Sequence, residues 1–127
     1  MRTNHGVTAR VKLTLHAQER FFGPGICELL EGIRETGSIQ SAAAGMSMSY
    51  TKAWRILNRA ERAMGVSLIT RVTGGSRGGS SALTAAGARA VRDFRAMESR
   101  LNACADALLD EYVGAFVPAE ERGGDAK

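Results

Sequence analysis

From Ala9 the chain alternates, with Val11, Leu13 and Leu15 set against Arg10, Lys12, Thr14 and His16. A period of two predicts a short half-buried strand. The unpatterned residues 1–8 before it are expected to be disordered. After the breaker Gly23-Pro24-Gly25 the period changes. Ile26, Leu29, Leu30 and Ile33 fall at i, i+3, i+4 and i+7, which predicts an amphipathic helix ending at Gly37 as its C′ residue. Ser38 is a natural N-cap for a short second helix, Ile39 to about Ala44, whose alanines allow close packing. A Gly45-Met46-Ser47 turn follows, and Ser49 caps a third helix that Gly65 ends. At about 100° per residue, Tyr50, Ala53, Trp54, Leu57, Ala60 and Met64 share one face of that helix. Lys52, Arg55, Arg59 and Arg62 cluster on the other. Ser67 to Thr73 reads as a strand with Leu68 inward, and Ser80 to Leu83 as its return across a glycine-rich tip. Thr84 caps a last helix of about 30 residues, running to Phe116. The polar tail, 117–127, is expected to be disordered.

This order predicts a mainly α fold with a small β-sheet: a winged helix-turn-helix over residues 9–83 and a long C-terminal dimerisation helix over 84–116. Two helices joined by a short glycine-containing turn, the second with a basic face, form the helix-turn-helix. The hairpin behind them is the wing, and the first strand is expected to join its strands in one sheet. A length of 127 residues suits one such domain. On the last helix Val91, Phe94, Met97, Leu101, Cys104, Ala105, Leu108, Tyr112 and Phe116 fall within about 140° of arc. Such a helix extends about 45 Å, more than one small winged domain covers. A homodimer seamed at Val91, Phe94, Leu101, Leu108 and Tyr112 is therefore expected. The rival arrangement folds this helix back on helix 1 of its own chain.

Charge sharpens the functional reading. Between Ser49 and Gly79 six Lys or Arg face one acid, Glu61, leaving +5 where the whole chain carries +4, so everything else sums to −1. The positive charge is local, and the pI near 9.6 points to a polyanionic partner. No apolar run approaches the roughly 20 residues that span a bilayer, and the N-terminus has no signal-peptide core. A cytoplasmic protein with no membrane partner is expected. Cys27 and Cys104 each sit in an apolar helical pattern and read as reduced core thiols. With only His5 and His16 beside them, no zinc or other metal site is expected. Gly23-Pro24-Gly25 lacks the strand and third glycine of a dinucleotide loop, and the glycines at 74–79 lack the lysine of a phosphate-binding loop. Glu28, Glu31 and Glu35 lie along an exposed helix face. No catalytic constellation appears, so neither an enzyme nor a cofactor is expected.

Double-stranded DNA is the partner these features suit. The start of a recognition helix meets base edges, which makes Thr51, Lys52 and Arg55 the candidates for base readout. Ser49 and Tyr50 near its first turn, and Arg59 and Arg62 further along, are candidates for phosphate. Arg71 at the base of the hairpin, with Ser76 and Arg77 in its tip, supplies the wing contacts. Trp54 is read as core, and Tyr50 as a ring that packs while offering its hydroxyl.

The stretches GSIQSAAAGMSMSYTKAW and RVTGGSRGGSSALTAAG resemble the DNA-binding domain of the molybdate-responsive ModE family. The resemblance rests on Gly37-Ser38-Ile39, on Ser49-Tyr50 with Ala53-Trp54, on Thr73-Gly74-Gly75, and on Leu83-Thr84 with Gly87, and covers most of residues 10–115. The wing departs from the family pattern, since the basic residue stands one place later, at Arg77. The resemblance implies a bacterial transcriptional regulator that reads DNA through helix 3 and the wing. The family's molybdate-binding region would follow the long helix, beyond this sequence, so molybdate sensing is not expected of these residues and a separate sensor protein is a candidate partner. The rival functions are a winged-helix protein-interaction module and a nonspecific nucleic-acid-binding protein.

Overall fold

The computed structural model describes residues 5–72 and 80–117, and of Arg71 and Val72 the backbone alone. The elements run β1 (Leu15–Ala17), β2 (Glu19–Phe22), α1 (Pro24–Thr36), α2 (Ile39–Gly45), α3 (Tyr50–Met64), β3 (Ile69–Val72), β4 (Ser80–Leu83) and α4 (Ala85–Tyr112), with a 3-10 turn at Val113–Ala115. They form two units, Leu13–Arg95 and the pair of segments Met1–Lys12 and Ala96–Lys127.

The first unit is a winged helix-turn-helix built on α1. Pro24 occupies its first turn, where a missing N–H costs nothing, and its apolar stripe of Ile26, Leu29, Leu30 and Ile33 is buried. Gly37 ends it in the left-handed region, φ 73°, with its N–H on the Ile33 carbonyl. Ser38 caps α2 by accepting from the Ser41 N–H at 3.0 Å. Its Ala42 comes so close to α1 that a Cβ on Gly32 would stand 3.0 Å from the Ala42 methyl. Ser49 caps α3 in the same way, accepting from the Lys52 N–H at 3.0 Å. Gly65, at φ 72°, ends α3.

The wing strands are anchored at their base. Leu68 is fully buried, and its N–H donates to the Glu61 carboxylate on α3 at 2.8 Å. β3 and β4 pair antiparallel with Ile69 opposite Leu83. Ser81 donates its N–H to the Gly37 carbonyl, tying β4 to the turn between α1 and α2. At the start of α4 the Thr84 N–H donates to the Leu68 carbonyl, while its hydroxyl donates to the Ser67 carbonyl and accepts from the Gly87 N–H. The first turns of α4 then cover the core. Val91 and Phe94 are buried, the Phe94 ring lies 5.2 Å from Phe22, and the Cys27 thiol faces the Val91 carbonyl. Arg95 grips Glu31 with two hydrogen bonds, 3.0 and 2.8 Å.

Several expectations are corrected here. The strand expected from Ala9 is only Leu15–Ala17, and it pairs with β2 in its own two-stranded sheet instead of joining the wing. Val91 and Phe94 are core residues of this unit, so they are not available to a dimer seam. Glu31 is an ion-pair partner and not merely a solvated acid. Cys27 is buried as expected, but Cys104 is exposed.

In the second unit residues 9–11 lie extended along the later turns of α4. The Ala9 N–H donates to Asp106 at 3.2 Å and the Val11 N–H to Asn102 at 2.8 Å. Alternation at 9–12 thus serves a segment hung on helix side chains, which satisfy backbone donors that a neighbouring strand would otherwise take. Val11 itself is exposed. Met97, Leu101, Leu108 and Tyr112 leave an apolar stripe of α4 open. The helix stops at Tyr112 and not at Phe116, and Phe116, just past the 3-10 turn, is exposed as well. No helix among the described residues is long and apolar enough to cross a membrane.

Candidate nucleic-acid interface

α3 meets the core along one side and solvent along the other. Ala53, Leu57 and Ala60 are buried against the body of the unit. Taking Lys52 as the origin at about 100° per residue, those three centre near 105° and Lys52, Arg55, Arg59 and Arg62 span roughly 280° to 360°. Arg55 and Arg62 therefore stand directly away from the core, with Arg59 and Lys52 on the flank of the same ridge. Thr51, Lys52, Arg55 and Arg62 are exposed and Arg59 is half-buried. None of these four cations forms an ion pair with another described residue, whereas Arg10, Arg92 and Arg95 all do. A row of like charges without counter-charges is stabilised by an external polyanion.

The first turn is fixed from both ends. Ser49 accepts the Lys52 N–H, which leaves its own hydroxyl proton to donate outward. Tyr50 is half exposed and meets Trp54 edge-on, with ring centroids 6.2 Å apart at 81°. Trp54 is itself half-buried against the core, as expected of it. The pairing holds the exposed Tyr50 ring at the start of α3.

Two grooves lined by described residues flank the ridge. One, of about 550 Å³, is lined by Arg55, Asn58, Glu61, Arg62 and Gly65–Ser67, toward the base of the wing. The other, of about 270 Å³, lies toward the β1–β2 hairpin and takes Lys52, Ile56 and Arg59 from α3. Its far wall brings in Arg20 from β2, a cation that sequence reasoning missed. No local pattern marks Arg20, since it stands 32 positions before Lys52 in the unpatterned Ala17–Phe22 stretch. Of the remaining candidates, the side chain of Arg71, and Ser76 and Arg77 entirely, lie outside the described residues. Among the described residues no group of three or more His, Cys, Asp and Glu is placed to hold a metal ion.

Residues 27–88 match the family model described as "Bacterial regulatory helix-turn-helix protein, lysR family", a span that runs from α1 through the wing into α4. The chain is 36% identical over 97 residues to the molybdenum transport protein ModE of Azotobacter vinelandii, which covers 74% of this chain and 36% of that protein. It is 34% identical over 106 residues to the transcriptional regulator ModE of Yersinia pestis, covering 83% and 40% respectively. To the DNA-binding transcriptional dual regulator ModE of Escherichia coli (strain K12) it is 32% identical over 104 residues, covering 81% and 40%. The chain thus spans well under half the length of these relatives.

Proposed function

Because the chain carries a ModE-like helix-turn-helix DNA-binding domain of the bacterial regulatory type, we propose that it acts as a transcriptional regulator which inserts α3 into the major groove of duplex DNA. The observation that carries this reading is the unpaired cationic ridge of α3, aimed away from the core and rooted in a helix-turn-helix. Thr51, Lys52 and Arg55, on the first turns, read base edges: Lys52 and Arg55 donate to guanine O6 and N7, and the Thr51 methyl meets thymine. Arg59 and Arg62 neutralise phosphates, with Ser49 and Tyr50 contributing at the helix start. The wing, with Arg71, Ser76 and Arg77, adds contacts on the flank.

The functional particle is a homodimer. What supports this is the open stripe on α4, where Leu101, Leu108 and Tyr112 are 37%, 51% and 65% exposed. Packing of that stripe against its copy hides apolar surface and sets two copies of α3 on two half-sites of a near-palindrome.

The name of the Azotobacter vinelandii relative connects that protein with molybdenum transport, and we carry over to this chain a role in molybdenum-related gene control. Molybdate recognition itself is not assigned to these residues. A tetrahedral oxyanion requires converging donors within enclosing walls, whereas both grooves beside α3 are open to solvent. DNA binding by these residues is then either constitutive, controlled by the protein's own abundance, or coupled to a separate partner that carries the sensor.

Selection of bound sequences from a random duplex library tests the function. A single enriched motif, bound at least about a thousand-fold more tightly than random DNA, is the expected result. Equal affinity for all duplexes would leave a nonspecific nucleic-acid-binding protein, and no affinity for any would leave the protein-interaction module.

A further inference from the structure

We propose that Arg20 on the β1–β2 hairpin is a second, wing-independent clamp on the DNA backbone, gripping the phosphate strand on the side of α3 opposite the wing. The inference rests on the reading of α3 as a major-groove helix and adds to it a partner surface that the helix-turn-helix alone does not contain.

Its basis is the smaller of the two grooves. Alternation along β2 sets Arg20 on the same face as Phe22, and Phe22 is buried. β2 packs against both α1 and α3, and Arg20, Phe21 and Phe22 all line the same groove. Phe22 anchors the strand through the Phe94 ring, and Arg20, two residues earlier, reaches the groove mouth. There it joins Lys52 and Arg59, over a floor that includes Phe21, Met48 and Ile56. The guanidinium lies against Gly23, where a Cβ would stand 3.0 Å from its Nη2. Arg20 makes no ion pair or hydrogen bond with a described residue. Three cations therefore converge on one groove that holds no acid, since Glu19 is not among its lining residues.

The occupant follows from the geometry of the duplex. A helix with its side chains is about 10–12 Å across and the major groove about 12 Å wide, so α3 in the groove brings its flanks to the two bordering phosphate strands. The two grooves lie on different flanks of α3. Lys52, Ile56 and Arg59 centre near 10° and Arg55, Asn58 and Arg62 near 270°, a separation of roughly 100° about the axis. Arg62 thus faces one strand, on the wing side, and Arg20 the other. The grip on the second strand comes from the hairpin that precedes the helix-turn-helix.

The test compares wild type with Arg20→Gln and Arg20→Lys, using the selected duplex and a random duplex across a salt series. One lost phosphate contact lowers the slope of log affinity against log salt by about 0.9, which corresponds to about five-fold weaker binding at 0.15 M salt. Arg20→Gln is expected to show that loss equally on both duplexes, with the selected motif unchanged, and Arg20→Lys to restore most of it. Phosphate-ethylation interference should lose contacts on one strand in Arg20→Gln and on the opposite strand in Arg62→Gln. If wild type binds its motif while Arg20→Gln keeps the same affinity, slope and interference pattern, the clamp is refuted and the function stands. A changed base preference in Arg20→Gln refutes it too, because the residue would then read sequence. Wild type that binds no duplex overturns both.

Discussion

Replacing Gly87 with alanine adds one methyl group where, among the described glycines, the space is smallest, and it should cost the domain about 2–3 kcal/mol. A Cβ there would stand 2.1 Å from the Leu68 carbonyl oxygen, where ordinary contact begins at 3.4 Å. α4 and the base of β3 must therefore part by roughly 1 Å or more. Neither side yields readily. Leu68 is fully buried and held by Glu61, and its carbonyl accepts the Thr84 N–H at 3.0 Å. Overpacking of this kind costs about 1–3 kcal/mol, and a contact this short belongs at the upper end. Loss of the Thr84–Leu68 hydrogen bond adds about 1 kcal/mol. The better helix propensity of alanine returns about 1 kcal/mol. The net corresponds to a fall in Tm of about 10–20 °C for a unit of this size. Gly45→Ala is the control, because a Cβ there meets nothing within 4 Å. It should leave stability unchanged or raise it by up to about 1 kcal/mol. Urea and thermal unfolding of both variants decide the matter. A Gly87→Ala protein as stable as wild type, or a Gly45→Ala protein equally weakened, would refute the reasoning.

Three further outcomes are expected. Lys52→Ala or Arg55→Ala should cost about 1–3 kcal/mol on the selected duplex and relax base preference there, whereas Arg59→Ala or Arg62→Ala should weaken all duplexes alike and flatten the salt dependence; identical behaviour of the two pairs in binding titrations would refute the division of labour. Leu101→Asp should convert the dimer to a monomer in sedimentation without unfolding the winged unit, since Leu101 lies outside its core; an unchanged mass, or a wild type already monomeric at tens of micromolar, would count against the seam. The hydrogen bond from Arg95, helped by its charge and that of Arg34 and opposed by partial burial, holds Glu31 below its ordinary value of 4.5. A depressed folded value means that the stabilisation is present above pH 4.5 and is lost as the pH falls through the folded value. Because the pair is partly exposed, Arg95→Gln should remove only about 0.5–1 kcal/mol at neutral pH, and its unfolding midpoint should converge on that of wild type in acid.

Local chemistry made much of the fold legible. Ser38, Ser49 and Thr84 as caps, and Gly37 and Gly65 as helix ends, each act within four residues of themselves, and each stands as read. The basic face of α3 was legible because helical angle follows from spacing. What spacing does not encode is the partner across a gap. The apolar stripe of α4 is continuous in sequence, yet Val91 and Phe94 meet α1 and β2 while Leu101, Leu108 and Tyr112 meet solvent. Alternation at Ala9–Lys12 describes an extended chain equally well on a strand or on Asn102 and Asp106 of a helix. Arg20 reaches the ridge only because a hairpin turns at Gln18 and places it there. The Glu31–Arg95 pair joins residues 64 positions apart, which no local pattern announces.

Four ties that close the winged unit run to late parts of the chain. Gly37 is bonded by Ser81, Leu68 by Thr84, Phe22 is covered by Phe94, and Glu31 is held by Arg95. A nascent polypeptide that has released α1 to α3 from the ribosome still lacks every one of these partners. At about 5–20 residues per second, the three helices, already packed on one another, wait about 2–6 s before the first three turns of α4 emerge to cover Phe22 and Cys27. The binding surface is thus made before the part that locks it. A transcript cut short between α3 and Arg95 would release a chain whose basic ridge is complete in sequence but unsupported.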